Sequence, residues 1–170
     1  AQTSSSSFIA DWASTFAGVL YTGGLMLHGI PLRELPDWLA WGALVFLGTW
    51  ICDSFAYLIG KMWGRHKFAP RISPKKTWEG TVGGFACSFA AVMLAAWAFS
   101  LPLLPIIGLG ILIPLATIAG DLTESMLKRS AGVKDTGAWL PGHGGLLDRI
   151  DSLIFVIPVV YYYAVYVVGG

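Results

Sequence analysis

The feature that most constrains the fold is a series of five apolar runs, each long enough to cross a lipid bilayer. The hydrocarbon core of a bilayer is about 30 Å thick, so a helix needs about 20 apolar residues to span it. Backbone N–H and C=O groups find no water there, so these runs are predicted to be helical. The predicted spans are Phe8 to Leu27, Trp38 to Ile59, Thr81 to Ser100, Leu103 to Gly120 and Leu153 to Val168. The chain is therefore predicted to be an all-α polytopic membrane protein with about five transmembrane helices, forming a single membrane domain over residues 1–170.

Composition excludes a soluble globular domain, because 55% of the residues are hydrophobic and only 12% are charged. Cys52 and Cys87 both fall inside apolar runs, so neither a disulfide framework nor a zinc site is predicted. Pro105 and Pro114 lie in the fourth run and predict a kink or a break there. The opening segment AQTSSSS has no initiating Met and no basic region, so it is interpreted as a processed or excised end and not as a signal peptide.

Positive charge is concentrated in two of the loops. Between the second and third spans, and between the fourth and fifth, lie Lys61, Arg65, Lys67, Arg71, Lys75, Lys76, Lys128, Arg129, Lys134 and Arg149. Loops rich in Lys and Arg stay on the cytoplasmic side of a membrane. Both loops are therefore predicted to be cytoplasmic, with the N-terminus inside and the C-terminus outside.

Five carboxylates lie at or near the same predicted membrane face: Asp53, Asp121, Glu124, Asp148 and Asp151. Carboxylates close to a membrane interior are costly and usually mark a site, a pair or a pathway. A helix continuing past the fourth span would carry Asp121, Glu124, Ser125 and Lys128 on one face, and Asp148 and Asp151 would also share a face. Such oxygen donors suit Mg²⁺ better than zinc. Two structural alternatives stay open, namely an ordinary Glu124–Lys128 pair and acids that complement the positive end of the fifth helix.

Two loop segments have the composition of phosphate-binding elements. Residues 141–145, Pro-Gly-His-Gly-Gly, precede the predicted fifth helix. Glycine N–H groups and the helix dipole favour an anion at such a position. A tight turn into a helix needs the same residues, so a purely structural role stays open. His143 in this turn is ambiguous between phosphate binding, proton transfer and a structural hydrogen bond. In the second loop, Lys75 and Lys76 of the segment Ser-Pro-Lys-Lys at 73–76 could hold a polyphosphate or a lipid headgroup, or simply attract anionic lipid.

The segment from Ser125 to Asp151, SMLKRSAGVKDTGAWLPGHGGLLDRID, resembles the signature of the phosphatidate cytidylyltransferase (CDP-diglyceride synthase) family. Asp53-Ser-Phe-Ala-Tyr57 and Ser73-Pro-Lys-Lys with Glu79 and Gly80 are also similar to that family. Family members are usually longer, with additional spans before this region. The resemblance therefore implies either a C-terminal catalytic portion or a short variant.

The resemblance implies a Mg²⁺-dependent transfer of the cytidylyl group from CTP to phosphatidic acid at the membrane surface. It also implies an inner or cytoplasmic membrane, with the active site facing the cytoplasm. Metal ligands are then expected at Asp121 and Asp148, with Asp151 and Asp53 as further ligands or supports, and a second cation is left open. Lys128 is expected to stabilise the attacked phosphate. Substrate contacts are expected from Ser73, Lys75, Lys76, Glu79, Arg129, Lys134, His143, Gly144, Gly145 and Arg149.

Two other functions remain compatible with the sequence. A CTP-dependent polyprenol or lipid kinase would need similar metal and phosphate groups, and would leave CDP instead of pyrophosphate. A non-enzymatic membrane protein could use Asp53 and Asp121 in an ion or proton pathway. The CDP-alcohol phosphotransferases are disfavoured because their Asp-Gly-x-x-Ala-Arg pattern is absent. No nucleic acid partner is expected, and a homo-oligomer is left open.

Overall fold

The computed structural model describes residues 5–133, 145 and 147–169, and these residues are mainly helical. In chain order the helices are α1 (Ser5–Val19), α2 (Gly29–Glu34), α3 (Trp38–Trp63), α4 (Trp78–Ala98), α5 (Leu103–Ser130) and α6 (Leu147–Tyr163). A π-helical turn, Leu20–Gly24, follows α1, and a second one, Ala164–Val168, extends α6. In the described part of the chain, four helices are long and apolar enough to cross a membrane: α3, α4, α5 and α6 with its extension.

The sequence predicts about five spans, and the difference lies in the first. Its residues form α1 and the π-helical turn after it, but this segment is not among the four candidate spans. Asp11, Ser14 and Thr15 interrupt its apolar character, and the described side chains of α1 are exposed. A predicted break in the fourth run does not occur, because α5 is a continuous helix that contains Pro114.

The backbones of α3 and α4 are in close contact because small residues line the interface between these helices. A Cβ atom on Gly84 would lie 2.5 Å from the Cys52 carbonyl oxygen and 2.8 Å from the Ala56 Cβ. Gly80 is equally close to α3, where a Cβ would lie 2.9 Å from the Gly60 Cα. Helices in lipid associate through such close packing, since burial from water contributes little between them. The small-residue spacing in the sequence therefore marks a helix contact.

α5 and α6 form the second close pair. A Cβ on Gly120 would lie 2.7 Å from the Asp151 carbonyl oxygen and 2.9 Å from the Ser152 Cα. Fully buried side chains such as Ile113 of α5 and Ile154 of α6 fill the core of the bundle. The close approach at Gly120 brings the acidic ends of both helices together.

The second loop contains a β-hairpin, which the all-α prediction does not include. Strands β1 (Lys67–Ala69) and β2 (Ser73–Thr77) are antiparallel, with Lys67 opposite Thr77. The turn is closed by a hydrogen bond from the Ile72 N–H to the Ala69 carbonyl oxygen at 3.1 Å. Thr77 then caps α4, because its hydroxyl oxygen accepts a hydrogen bond from the Gly80 N–H at 3.2 Å. The loop is thus an ordered element that fixes the position of its lysines.

Candidate functional site

A cavity of about 830 Å³ lies between α3, the hairpin, α4, α5 and α6. Along α3 its lining runs from Trp50 to Lys61, a distance of about 16 Å at the rise of an α-helix. The cavity therefore connects the charged loops with the apolar part of the bundle. Its charged and polar lining residues are Asp53, Ser54, Lys61, Lys67, Lys75, Lys76, Thr77, Thr81, Asp121, Glu124, Lys128, Asp148, Arg149, Asp151 and Ser152.

Lys128 joins α5 to α6 in the wall of this cavity. Its Nζ contacts Glu124 Oε2 at 2.5 Å, one turn earlier on α5, and Asp148 Oδ1 at 2.9 Å, in the first turn of α6. The other Asp148 oxygen, Oδ2, accepts a hydrogen bond from the Gly145 N–H at 2.8 Å. Glu124 is 2% exposed, so this ion pair is shielded from solvent. Shielded charges need partners of this kind, because an isolated buried charge is strongly unfavourable.

A second ion pair joins the hairpin to α5. Lys76 Nζ lies 2.6 Å from Asp121 Oδ2, and both side chains are partly exposed. The Ser125 hydroxyl donates a hydrogen bond of 3.3 Å to Asp121 Oδ1 from the next turn of α5. The Arg129 Nε also donates to the Ile72 carbonyl oxygen at 3.3 Å, so the hairpin turn is fastened to the end of α5. These contacts hold Lys76 of β2 against Asp121 of α5 and the hairpin turn against the end of that helix.

The remaining cations of the cavity are solvent-exposed. Lys61 stands at the end of α3, Lys67 and Lys75 on the hairpin, and Arg149 in the first turn of α6. The Lys61 Nζ lies 5.9 Å from the centroid of the Tyr57 ring. Cations around a cavity that also contains acids can attract a polyphosphate and hold it beside those acids.

Most of the predicted site residues lie around this one cavity. Asp53, Asp121, Asp148, Asp151, Lys75, Lys76, Lys128 and Arg149 all line it, and the predicted polar face Asp121–Glu124–Ser125–Lys128 is present because α5 continues to Ser130. Gly145 is buried beside Asp148. Lys134, His143 and Gly144 lie outside the described residues, so their expected roles stay predictions.

Four predicted substrate contacts have other positions. Among the described residues, Ser73, Glu79, Arg129 and Gly145 are not part of the cavity lining. Glu79 Oε1 instead pairs with His66 Nδ1 at 2.6 Å, and Arg129 binds the hairpin turn. The substrate-binding roles of these residues remain predictions, and the contacts of Glu79 and Arg129 tie the hairpin region to α4 and α5.

Other lining residues are not among the site residues that the sequence predicts. Lys61, Lys67, Thr77 and Ser152 reach the cavity, and Trp50 and Tyr57 supply aromatic surface. Lys67 could have been identified only by recognising the hairpin, whose strands are short and bulged. Trp50 lies three residues before Asp53 and Tyr57 four residues after it, so all three share one face of a helix. This spacing is the signal in the sequence that could have placed Trp50 and Tyr57 near the site.

The donor set fits Mg²⁺ in its chemistry. Asp53, Asp121, Asp148 and Asp151 offer carboxylate oxygens around one cavity, and the buried Glu124 Oε1 has no hydrogen-bond partner among the described residues. Within those residues, no three His, Cys, Asp or Glu side chains are gathered tightly enough to hold a metal ion. Lys76 and Lys128 instead supply the positive charge beside Asp121 and Asp148. Metal ligation by these acids stays a prediction.

The fold and the cavity define an integral membrane protein. Its charged cavity, called the chamber from here on, lies at the end of the helix bundle that carries the hairpin. Residues 2–167 match the model of the cytidylyltransferase family. The chain therefore belongs to the cytidylyltransferase family.

Individual relatives agree with this assignment. The chain is 47% identical over 186 aligned positions to a phosphatidate cytidylyltransferase of Synechocystis, which covers 92% of this chain and 63% of the relative. It is 49% identical over 115 positions to a phosphatidate cytidylyltransferase of Staphylococcus aureus, covering 66% of this chain and 44% of the relative. A phosphatidate cytidylyltransferase of Staphylococcus haemolyticus is 41% identical, with 87% and 57% covered. The chain thus spans about half of the length of these relatives.

Proposed function

We propose that this chain catalyses the transfer of a cytidylyl group from CTP to phosphatidic acid, giving CDP-diacylglycerol and pyrophosphate. The observation that carries the proposal is the chamber in which acids of α3, α5 and α6 face lysines of the hairpin, in a chain of the cytidylyltransferase family. The names of the relatives supply the lipid substrate as an inference. An opening between charged loops and apolar helices suits one water-soluble and one lipid reactant.

In this reaction a phosphate oxygen of phosphatidic acid attacks the α-phosphorus of CTP. The new P–O bond forms as the bond between the α-phosphorus and the bridging oxygen to the β-phosphorus breaks, and pyrophosphate leaves with that electron pair. The lipid phosphate is already ionised at neutral pH, so no general base is required. The barrier arises from repulsion between anions, and the chain lowers it by positioning the reactants and surrounding them with cations.

Each group of chamber residues has a defined part in this scheme. Lys61, Lys67, Lys75 and Arg149 surround the opening and bind the triphosphate and the lipid phosphate. Lys128 stabilises charge at the attacked phosphorus from the chamber wall. Asp121 and Asp148, with Asp151 and Asp53, would hold Mg²⁺, which neutralises charge on the phosphate oxygens when it is bound. The positive-inside rule supports a cytoplasmic opening, since both basic loops contribute to this chamber.

An assay with labelled CTP tests the function directly. The purified chain in phosphatidic acid micelles with Mg²⁺ is expected to form labelled CDP-diacylglycerol and release one pyrophosphate per product. Chelation of Mg²⁺ is expected to stop product formation. In a parallel assay with a polyprenol in place of phosphatidic acid, CDP and polyprenyl phosphate would instead identify a kinase. Ion flux in liposomes without CTP turnover would identify a pathway protein.

A second test concerns Lys75, an exposed lysine of the chamber lining. Lys75→Gln is expected to raise the KM for CTP by about tenfold with little change in kcat, because it removes a charge that attracts substrate and transition state alike. Arg65→Gln is the matched control, since Arg65 is exposed in the same loop but does not line the chamber. Equal KM values for the two variants would contradict a phosphate-binding role for Lys75.

A further inference from the structure

We propose that Glu124 is a positioning residue of this chamber, whose buried carboxylate holds the Lys128 ammonium at the wall shared by α5 and α6. This inference rests on the proposed function and adds a residue to it. The sequence alone predicts Glu124 as a member of a polar face or of an ordinary helical ion pair. Its surroundings in the structure assign it a more specific part.

The first observation is the burial of Glu124. Its side chain is 2% exposed, although its partner Lys128 is 18% exposed and reaches the chamber. A carboxylate in a helix of a membrane bundle is costly unless it is paired. Surface pairs of the same i,i+4 spacing contribute little, because both partners stay in water. Glu124 is shielded, so its pairing with Lys128 is the interaction that makes its charge tolerable.

The second observation is that Glu124 acts through other residues. Lys128 Nζ bridges Glu124 Oε2 and Asp148 Oδ1, and Asp148 Oδ2 accepts the Gly145 N–H. Contacts therefore run from Glu124 of α5, across to Asp148 of α6, and on to Gly145, two residues before α6. A change at Glu124 would shift Lys128 first and Asp148 second.

The two contacts of Lys128 come from different helices, because Glu124 lies on α5 with Lys128 and Asp148 lies on α6. If Asp148 engaged a cation or a substrate, Lys128 would lose that contact and keep the one with Glu124. The contact within α5 would then hold the ammonium in position. The buried pair thereby presents a fixed positive charge to the phosphates, as preorganised catalysis requires.

The kinetic test compares Glu124→Gln with Glu34→Gln, the same chemical change at an exposed residue at the end of α2. Glu124→Gln is expected to lower kcat by about a hundredfold, the loss typical of a misplaced catalytic group, and to leave the KM for CTP within about twofold. Added to Lys128→Met, it is expected to cause no further loss, because it acts through Lys128. Unchanged kcat in Glu124→Gln, or a full additional loss in the double variant, would overturn the proposal.

Should Glu124→Gln alone fail to fold, the double variant, which removes both charges of the Glu124–Lys128 pair, is expected to restore folding. A double variant that also fails to fold would assign Glu124 to stability alone and overturn the proposal.

A labelling test separates this inference from the proposed function. Acetic anhydride modifies accessible amines, and peptide mass spectrometry gives the rate at each lysine. Lys128 is expected to react about tenfold faster in Glu124→Gln than in the unaltered chain, since a charge-assisted contact is lost. Lys61 supplies the internal control rate. If the unaltered chain forms no CDP-diacylglycerol, the proposed function fails, but the labelling result still decides whether Glu124 positions Lys128. An unchanged labelling rate at Lys128 in Glu124→Gln would overturn the positioning role.

Discussion

Asp148→Asn is expected to reduce CTP-dependent formation of CDP-diacylglycerol by on the order of a thousandfold. Asp148 meets both the Lys128 ammonium, at 2.9 Å, and the Gly145 N–H, at 2.8 Å. Asparagine keeps the shape of the side chain but loses its negative charge, so it weakens the ion pair and removes a predicted metal ligand. Asp121→Asn, which breaks the pair with Lys76, is expected to have a similar effect. Initial rates at saturating CTP and lipid, with Mg²⁺ varied, measure both variants.

Asp37→Asn is the matched control for these variants. Asp37 is exposed and has a φ of 55°, a conformation that asparagine also adopts readily. It lies in the first loop and does not line the chamber. Its activity is expected to equal that of the unaltered chain. Near-normal turnover in Asp121→Asn or Asp148→Asn would remove these residues from the metal assignment.

Gly120→Ala is expected to lower the free energy of unfolding by about 2 kcal/mol or more. The added methyl group would lie 2.7 Å from the Asp151 carbonyl oxygen and 2.9 Å from the Ser152 Cα. Both are backbone atoms, so they cannot rotate away and α6 must move from α5. Activity is expected to fall as well, because Asp121 and Asp151 adjoin this contact. Thermal unfolding in detergent, followed by intrinsic tryptophan fluorescence, measures the effect.

Gly42→Ala provides the comparison for that loss. Gly42 is also inside a helix, α3, but a Cβ there would meet nothing within 4 Å. Alanine has the higher helix propensity, so this variant is expected to be neutral or more stable by up to about 1 kcal/mol. Equal stability of the two alanine variants would show that α5 and α6 are not in backbone contact at Gly120.

Sequence patterns were sufficient for the parts of this molecule that depend on local periodicity. The apolar runs that form α3 to α6 are long enough to span a bilayer, and such length can be read directly from the sequence. The acids of α5 were placed on one face by their spacing, and the continuation of α5 to Ser130 confirmed that face. Gly80 and Gly84 are one helical turn apart, a small-residue spacing typical of close helix packing in membranes, and both lie at the contact of α4 with α3.

Contacts between distant parts of the chain could not be obtained in this way. Lys76 pairs with Asp121, 45 positions away, because the hairpin folds back over α5. The hairpin itself is short and contains a bulge, so it has little periodicity to detect. The pair of Lys128 with Glu124 is local and is one of the alternatives that the sequence offers, whereas the contact of Lys128 with Asp148 joins two helices. Partners on separate helices depend on how the bundle packs, and no single segment encodes that packing.

The Lys76–Asp121 pair has a consequence for the order in which ligands enter. Each of these side chains neutralises the other, so an anion that takes Lys76 leaves Asp121 without its counter-charge, and a cation that takes Asp121 releases Lys76. Entry of either ion alone therefore leaves one charge of this partly buried pair without its partner. In the proposed reaction, a nucleotide that arrives together with a divalent ion supplies both counter-charges at once, so we expect the two to be taken up cooperatively.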